Sequence, residues 1–109
     1  MNDKFNTFLI MGVAGSGKTT IAQKLAEEVN ALVIEADDYH SKTNIKKMSS
    51  GIPLNDADRY DWLIKIKTEI VKKKKKQNLV VTCSALKEKY RSILNVKNYY
   101  LIYLKVNKE

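Results

Sequence analysis

Short apolar runs alternating with amphipathic helices predict an α/β domain built on a parallel sheet with helices on both faces. Three features carry this expectation. The runs TFLIMGV, ALVIEA, NLVVTC and YYLIYLKV have strand length, the segments between them repeat at helical spacing, and a glycine loop, GVAGSGKTT, follows the first run directly. Each run is nearly all apolar, as a strand buried on both faces requires. A chain of 109 residues has room for one modest core, so residues 1–109 are expected to form a single domain.

The elements follow in order. TFLIMGV is stopped by glycine as a buried strand should be, and the loop opens a helix whose Ile21, Ala22, Leu25, Ala26 and Val29 form an apolar stripe. ALVIEA makes the second strand. A short helix is expected over residues 41–48, broken by Gly51 and Pro53, and Asn55 or Asp56 caps the next. Trp62, Leu63, Ile66 and Ile70 give that long helix its buried face, and it runs to about the lysines. NLVVTC is the third strand, LKEKYRSIL a helix and YYLIYLKV the fourth strand. Right-handed crossovers place the helices on alternate sides of the sheet, and ligands gather at the carboxyl ends of such strands. There the sequence has the glycine loop, then Asp37, Asp38 and His40, then residues 84–87.

Composition narrows the function classes. Hydrophobic content of 44% with 29% charged residues describes an ordinary globular chain. The formal net charge is +8, but five of those charges sit in the run KKKKK at residues 72–76. That run ends a helix, where cations favour the dipole, and no stacking aromatics are interleaved with it, so no nucleic-acid partner is expected. No run reaches the length of a membrane span, the first residues lack the features of a signal peptide, and no membrane partner is expected. The single cysteine, Cys83, excludes an internal disulfide and fits a cytoplasmic location. With His40 the only histidine, a zinc site or a Cys/His nucleophile pair is not expected.

The loop has the spacing of a phosphate-binding loop, Gly, four residues, then Gly-Lys-Thr. Its backbone N–H groups, from Gly12, Val13, Ala14, Gly15, Ser16, Gly17, Lys18, Thr19 and Thr20, are expected to surround a nucleoside triphosphate. Lys18 then reaches the outer phosphates and the Thr19 hydroxyl meets Mg²⁺. Glu35 and Asp37 form an acid-x-acid pair at the end of the second strand. One carboxylate is expected to hold a Mg²⁺-bound water and the other to orient an acceptor hydroxyl, with Asp38 a bystander. Arg59, in the first turn of the long helix, either pairs with Asp56, Asp58 and Asp61 or meets a substrate anion. Lys87 and Arg91 share a helical face and either flank an anion or face solvent. His40 either bonds a polyol hydroxyl or caps the short helix, and Cys83 is expected to be a buried strand residue.

Taken together, GVAGSGKTT, EADDYHSKTNIKKMSSGIPLNDADRYDWL and TCSALKEKYRSIL resemble the gluconate kinase family, small P-loop kinases similar to shikimate and adenylate kinases. The middle segment is the specific part. It matches the family pattern at Glu35, Asp37, His40, residues 44–48, residues 51–54, Asp56, Asp58, Arg59, Trp62 and Leu63. Ser41 and Asp61 stand where members of the family commonly have proline. The resemblance implies a three-layer P-loop fold like that of the nucleoside monophosphate kinases, with ATP and Mg²⁺ as cofactors. It implies D-gluconate as the small-molecule substrate, phosphorylated on its 6-hydroxyl to 6-phosphogluconate. Lys18 and Asp37 carry over as catalytic residues, and Asp37, His40, Arg59, Ser84 and Lys87 as gluconate-binding candidates. The family tends to dimerise, which allows a homodimer.

The likeness runs over residues 7–104 and stops where the family continues into an Arg-rich lid, a fifth strand and closing helices. The chain is therefore expected to hold four strands and to lack the lid and fifth strand at its C-terminus. YYLIYL would then be an uncovered sheet edge, and a marginally stable chain that associates is expected. A clean, thermally robust monomer in gel filtration with light scattering would contradict this. The competing readings are another small-molecule kinase, such as one for shikimate, and a non-catalytic ATP-binding remnant.

Overall fold

The computed structural model describes residues 4–12, 17–84, 92–94 and 99–103. The elements run β1 (Thr7–Met11), α1 (Lys18–Val29), β2 (Ala31–Glu35), a 3-10 turn (Ala36–Tyr39), α2 (Lys42–Ser49), α3 (Asp56–Lys73), β3 (Asn78–Cys83) and β4 (Tyr99–Tyr103). Residues 92–94 are helical. Loop residues 13–16, Lys87 and Arg91 with most of the expected fourth helix, and the tail of the last expected strand lie outside the described residues.

The four strands form one sheet in the order β2-β3-β1-β4, and every pairing is parallel. Chain order and sheet order together fix the crossovers. From β1 the chain leaves toward β2 at one edge, and from β3 it leaves toward β4 at the other. The adjacent strands β1 and β3 thus diverge at their carboxyl ends, which is the switch point where an open α/β sheet forms its crevice. Met11 lies opposite Cys83 and Glu35 opposite Thr82, so the ends of β1, β2 and β3 open at one level.

Alternation along the strands divides the core into two layers. Leu9, Met11, Leu79, Val81 and Cys83 face α3, where Trp62, Leu63, Ile66 and Ile70 fill the gap together with Leu94. Ile10 and Val80 face α1, where Ala22 and Ala26 let the helix approach closely. Each large aliphatic side chain buried here contributes about 1.5–3 kcal/mol. One expectation fails on α1: Ile21 is 43% exposed. The helix seats residues 22, 25, 26 and 29 against the sheet, and Ile21 lies roughly 100° away from Ala22 around the axis.

Polar side chains fix the ends of these elements. Asn78 accepts from the Asn6 amide (2.8 Å) and donates to the Val29 carbonyl (2.7 Å), tying the entry to β1 and the exit of α1 to the start of β3. Of the two caps expected for α3, Asn55 takes the role. Its side chain accepts from the Asp58 amide at 2.8 Å, and the Asp58 carboxylate accepts from the Asn55 amide at 3.1 Å, a reciprocal capping box. Asn55→Ala should cost about 1 kcal/mol, read as a lower urea midpoint at unchanged slope.

At the β4 edge, Tyr100 stacks on Phe8 with ring centroids 5.4 Å apart, while Ile102 joins the layer under α1. Tyr100 and Leu101 stay exposed, as expected for an edge strand with apolar residues on its surface. No helix among the described residues is long and apolar enough to cross a membrane.

Candidate active site

The crevice lies at the carboxyl ends of β1, β2 and β3. Met11 ends β1, and Gly17 opens α1 with φ +87°, a left-handed conformation that costs an L side chain strain even though nothing crowds the position. Lys18 is therefore the first residue of α1. Its ammonium donates to the Gly12 carbonyl at 2.7 Å, spanning the loop from its end to its beginning. Thr19 points toward β2, and its hydroxyl donates to the Glu35 carboxylate at 2.7 Å.

Beyond Glu35 the 3-10 turn carries Asp37 and Asp38 over the crevice. Ser84, the first residue after β3, donates its hydroxyl to Asp37 at 2.9 Å and so fixes that carboxylate across the top of the sheet. Gly17, Lys18, Thr19, Glu35, Asp37, Asp38 and Thr82 line one cleft of about 350 Å³. The two acids of the acid-x-acid pair do turn toward the loop. Asp38, expected to stand aside, lines the cleft as well. Thr20 is exposed on α1 and is not part of this lining.

The cleft's donor set suits a magnesium–phosphate ligand. The Thr19 hydroxyl and three carboxylates are hard oxygens, which Mg²⁺ prefers. No group of three metal-ligating acids, histidines or cysteines is assembled among the described residues. That pattern suits a cation carried largely by phosphate oxygens and water, and touched by one or two protein oxygens, rather than a protein-only cage.

His40 follows the turn that carries Asp37, and Asp37 and Arg59 both act on its ring, although neither His40 nor Arg59 is among the residues lining this cleft. The His40 ring stacks on Trp62 with centroids 4.1 Å apart and planes 18° from parallel. The Trp62 indole N–H donates to the Ala36 carbonyl at 2.7 Å, pinning the turn that carries Asp37 to the core. His40 does not cap α2: Ser41 does, accepting from the Asn44 amide at 3.1 Å. Arg59 acts on both neighbours, lowering the pKa of His40 and of Asp58. Asp58 is held below the usual carboxylate range mainly by its hydrogen bond from Lys47 (2.8 Å), then by the Asn55 amide.

Burial pushes the His40 pKa below its ordinary value of 6.5; Asp37 opposes this shift and Arg59 adds to it. The folded protein thus binds a proton at His40 less readily than the unfolded chain does. The stability this gives is complete above pH 6.5 and is lost as pH falls from there through the lower folded value. Urea unfolding at pH 7 and pH 5.5 should show a steeper loss in the parent than in His40→Phe. The Asp58 contribution is lost in a separate window, below pH 3.8.

Sequence reasoning missed three of these contacts: the Thr19–Glu35 bond, the Ser84–Asp37 bond and the buried amide of Asn44 between α2 and α3. The first two join residues that are 16 and 47 apart in the chain. Asn44 left no local signal: the rest of α2 is largely exposed, yet Asn44 is only 4% exposed.

A parallel sheet with Gly17, Lys18 and Thr19 at its switch point, facing carboxylates, is the architecture of the P-loop kinase fold. The shikimate kinase family model matches residues 14–109, and the chain belongs to that family. Its similar relatives carry another name. The probable gluconokinase of Saccharomyces cerevisiae is 43% identical over 99 residues, covering 84% of this chain and 51% of that protein. The thermoresistant gluconokinase of Escherichia coli is 41% identical over 108 residues, covering 95% of this chain and 61% of that one. Among solved structures, a gluconokinase from Sinorhizobium meliloti superposes with a TM-score of 0.82 at 37% identity, over 94% of this chain and 58% of that one. The shikimate kinase of Acinetobacter baumannii, 16% identical with a TM-score of 0.61, shares the fold. The chain spans about half the length of the curated relatives it matches.

Proposed function

We propose that the chain carries the nucleotide and acceptor sites of a gluconokinase, transferring the γ-phosphoryl group of ATP to the 6-hydroxyl of D-gluconate. The observation that carries the reading is the shared cleft: the loop residues Lys18 and Thr19 and the carboxylates of Glu35 and Asp37 line one volume of about 350 Å³. A donor phosphate and an acceptor hydroxyl can meet there. The choice of gluconate over shikimate rests on the relatives, which are gluconokinases at 41–48% identity.

Phosphoryl transfer depends on alignment and charge neutralisation more than on covalent chemistry from the protein. Mg²⁺ bound to the phosphates would supply charge neutralisation at the transferred group. The Lys18 ammonium adds a second cation, already turned over the loop by its bond to Gly12. The N-terminus of α1 adds its partial positive charge. Thr19 and Glu35 are the residues that would hold the metal, the threonine directly and the carboxylate through water. Asp37, kept in place by Ser84, orients the acceptor O6–H and takes its proton as the O6–P bond forms and the γ-phosphoryl bond to ADP breaks. Arg59, beside His40, offers a planar fork for the substrate carboxylate.

Asp37→Asn keeps the size of the side chain and can still accept from Ser84, but it no longer takes a proton at neutral pH. Turnover should fall roughly 10²–10⁴-fold with little change in ATP binding. The test is a panel of gluconate, shikimate and other polyol acids with Mg²⁺-ATP, assayed for phosphorylated product in parent and variant. Phosphorylation of shikimate but not gluconate would overturn the substrate. ATP binding without transfer to any acceptor would move the chain to a non-catalytic nucleotide binder.

A further inference from the structure

Asn44 is the most buried polar side chain near the site outside the sheet, 4% exposed between α2 and α3. Its amide nitrogen donates to the Asp58 main-chain carbonyl at 3.2 Å and lies 3.3 Å from Nδ1 of His40. A main-chain carbonyl can only accept, so this contact fixes which end of the amide is the NH₂ group. The second amide hydrogen then faces His40 Nδ1, which must be the unprotonated nitrogen. In a neutral ring the proton sits on Nε2, on the side away from Asn44.

Other contacts hold the same ring. Trp62 stacks on its face, and the Trp62 indole is itself tied to the Ala36 carbonyl, so the ring is oriented as well as protonated in one way. Burial favours the neutral form. The charged groups acting on it are Asp37 from the 3-10 turn and Arg59 from α3, while the nearby Asp58 carboxylate is engaged by Lys47. A neutral histidine with its proton on Nε2, within electrostatic reach of Arg59 and of the Asp37 carboxylate that lines the cleft, is a fixed hydrogen-bond donor.

We propose that Asn44 is a positioning residue that holds His40 in the Nε2–H tautomer, so that the ring donates a hydrogen bond to an oxygen of the sugar-acid substrate. The inference rests on the gluconate reading given above for the identity of that oxygen's owner. His40 then recognises a lone pair rather than a proton, and it selects a carboxylate or hydroxyl oxygen over a cationic group.

Because His40 is the only histidine in the sequence, its ring nitrogens can be read without assignment by long-range ¹⁵N–¹H NMR of the labelled protein. At pH 8 the parent should show a single neutral tautomer with the proton on Nε2. Asn44→Asp reverses the polarity: a carboxylate accepts from Nδ1–H, so the proton should move to Nδ1 and the imidazolium should persist to higher pH. Gluconate KM in this variant should rise about tenfold at pH 8, with ATP KM unchanged. The deficit should shrink toward pH 6, where the imidazolium regains a proton on Nε2. A purely structural role for Asn44 would give a deficit independent of pH, and that result would overturn the proposal. So would a parent spectrum with the proton on Nδ1, which decides the matter even if the variant does not fold. An Nε2–H ring in a protein that never phosphorylates gluconate would support the tautomer and count against the gluconate reading.

Discussion

Lys18→Ala is expected to lower kcat for phosphoryl transfer by roughly 10²–10³-fold, the loss typical of removing one preorganised charge from a developing anion. The lysine starts α1, and its ammonium is held at 2.7 Å from the Gly12 carbonyl, across the loop that surrounds the phosphates in this class of fold. Among the described residues that line the cleft nothing else is a cation: Gly17, Thr19, Glu35, Asp37, Asp38 and Thr82 are neutral or acidic. Without Lys18 that lining is net negative and repels the group it is proposed to bind. Lys18 belongs to neither core cluster, so the melting curve of the variant should stay close to that of the parent. Steady-state kinetics beside a thermal melt separates the two effects, and a large fall in melting temperature would assign the lysine a structural role.

Trp62→Ala should destabilise the fold by about 3–5 kcal/mol, a large share of the roughly 5–15 kcal/mol that a domain of this kind has. The indole is 4% exposed and packs in the layer between α3 and the sheet. Its N–H also satisfies the Ala36 carbonyl, and its face carries His40. Truncation thus leaves a cavity, an unpaired carbonyl and an unsupported ring together. Trp62→Phe retains most of the packing and removes the N–H donor, so it should cost about 1–3 kcal/mol. Urea unfolding of both variants separates the packing from the hydrogen bond. The phenylalanine variant should also lose turnover beyond its loss of stability, because the turn bearing Asp37 is released from the core.

Much of this architecture was legible in the chain. Apolar runs bounded by glycine or asparagine gave the four strands, and the spacing of Trp62, Leu63, Ile66 and Ile70 gave the buried face of α3. These signals are local, since strand and helix periodicity is set within a few residues. The glycine loop and the acid-x-acid pair were legible for the same reason: each sits in one short segment at a strand end.

The misses have a different cause. Ile21 was assigned to the stripe of α1, yet the face a helix buries depends on how the sheet meets it, and Ala22 and Ala26 decide that by their small size. Asn78 ties together residues 6 and 29, and Ser84 reaches Asp37; neither pairing leaves a trace in local composition. Asp38 was set aside as a bystander, but the 3-10 turn winds residues 37 and 38 onto the same cleft. The chain of contacts from Lys47 through Asp58 and Asn44 to His40 draws on three separate elements, and only folding brings them together.

The most direct measurement is ³¹P NMR of the purified chain mixed with Mg²⁺, ATP and D-gluconate, with Lys18→Ala run in parallel. The expected result is a phosphomonoester resonance identical to that of 6-phosphogluconate, growing in step with ADP in the parent and roughly 10²–10³-fold more slowly in the variant. ADP released without that resonance, or a phosphorylated product that Lys18→Ala makes equally well, would contradict it.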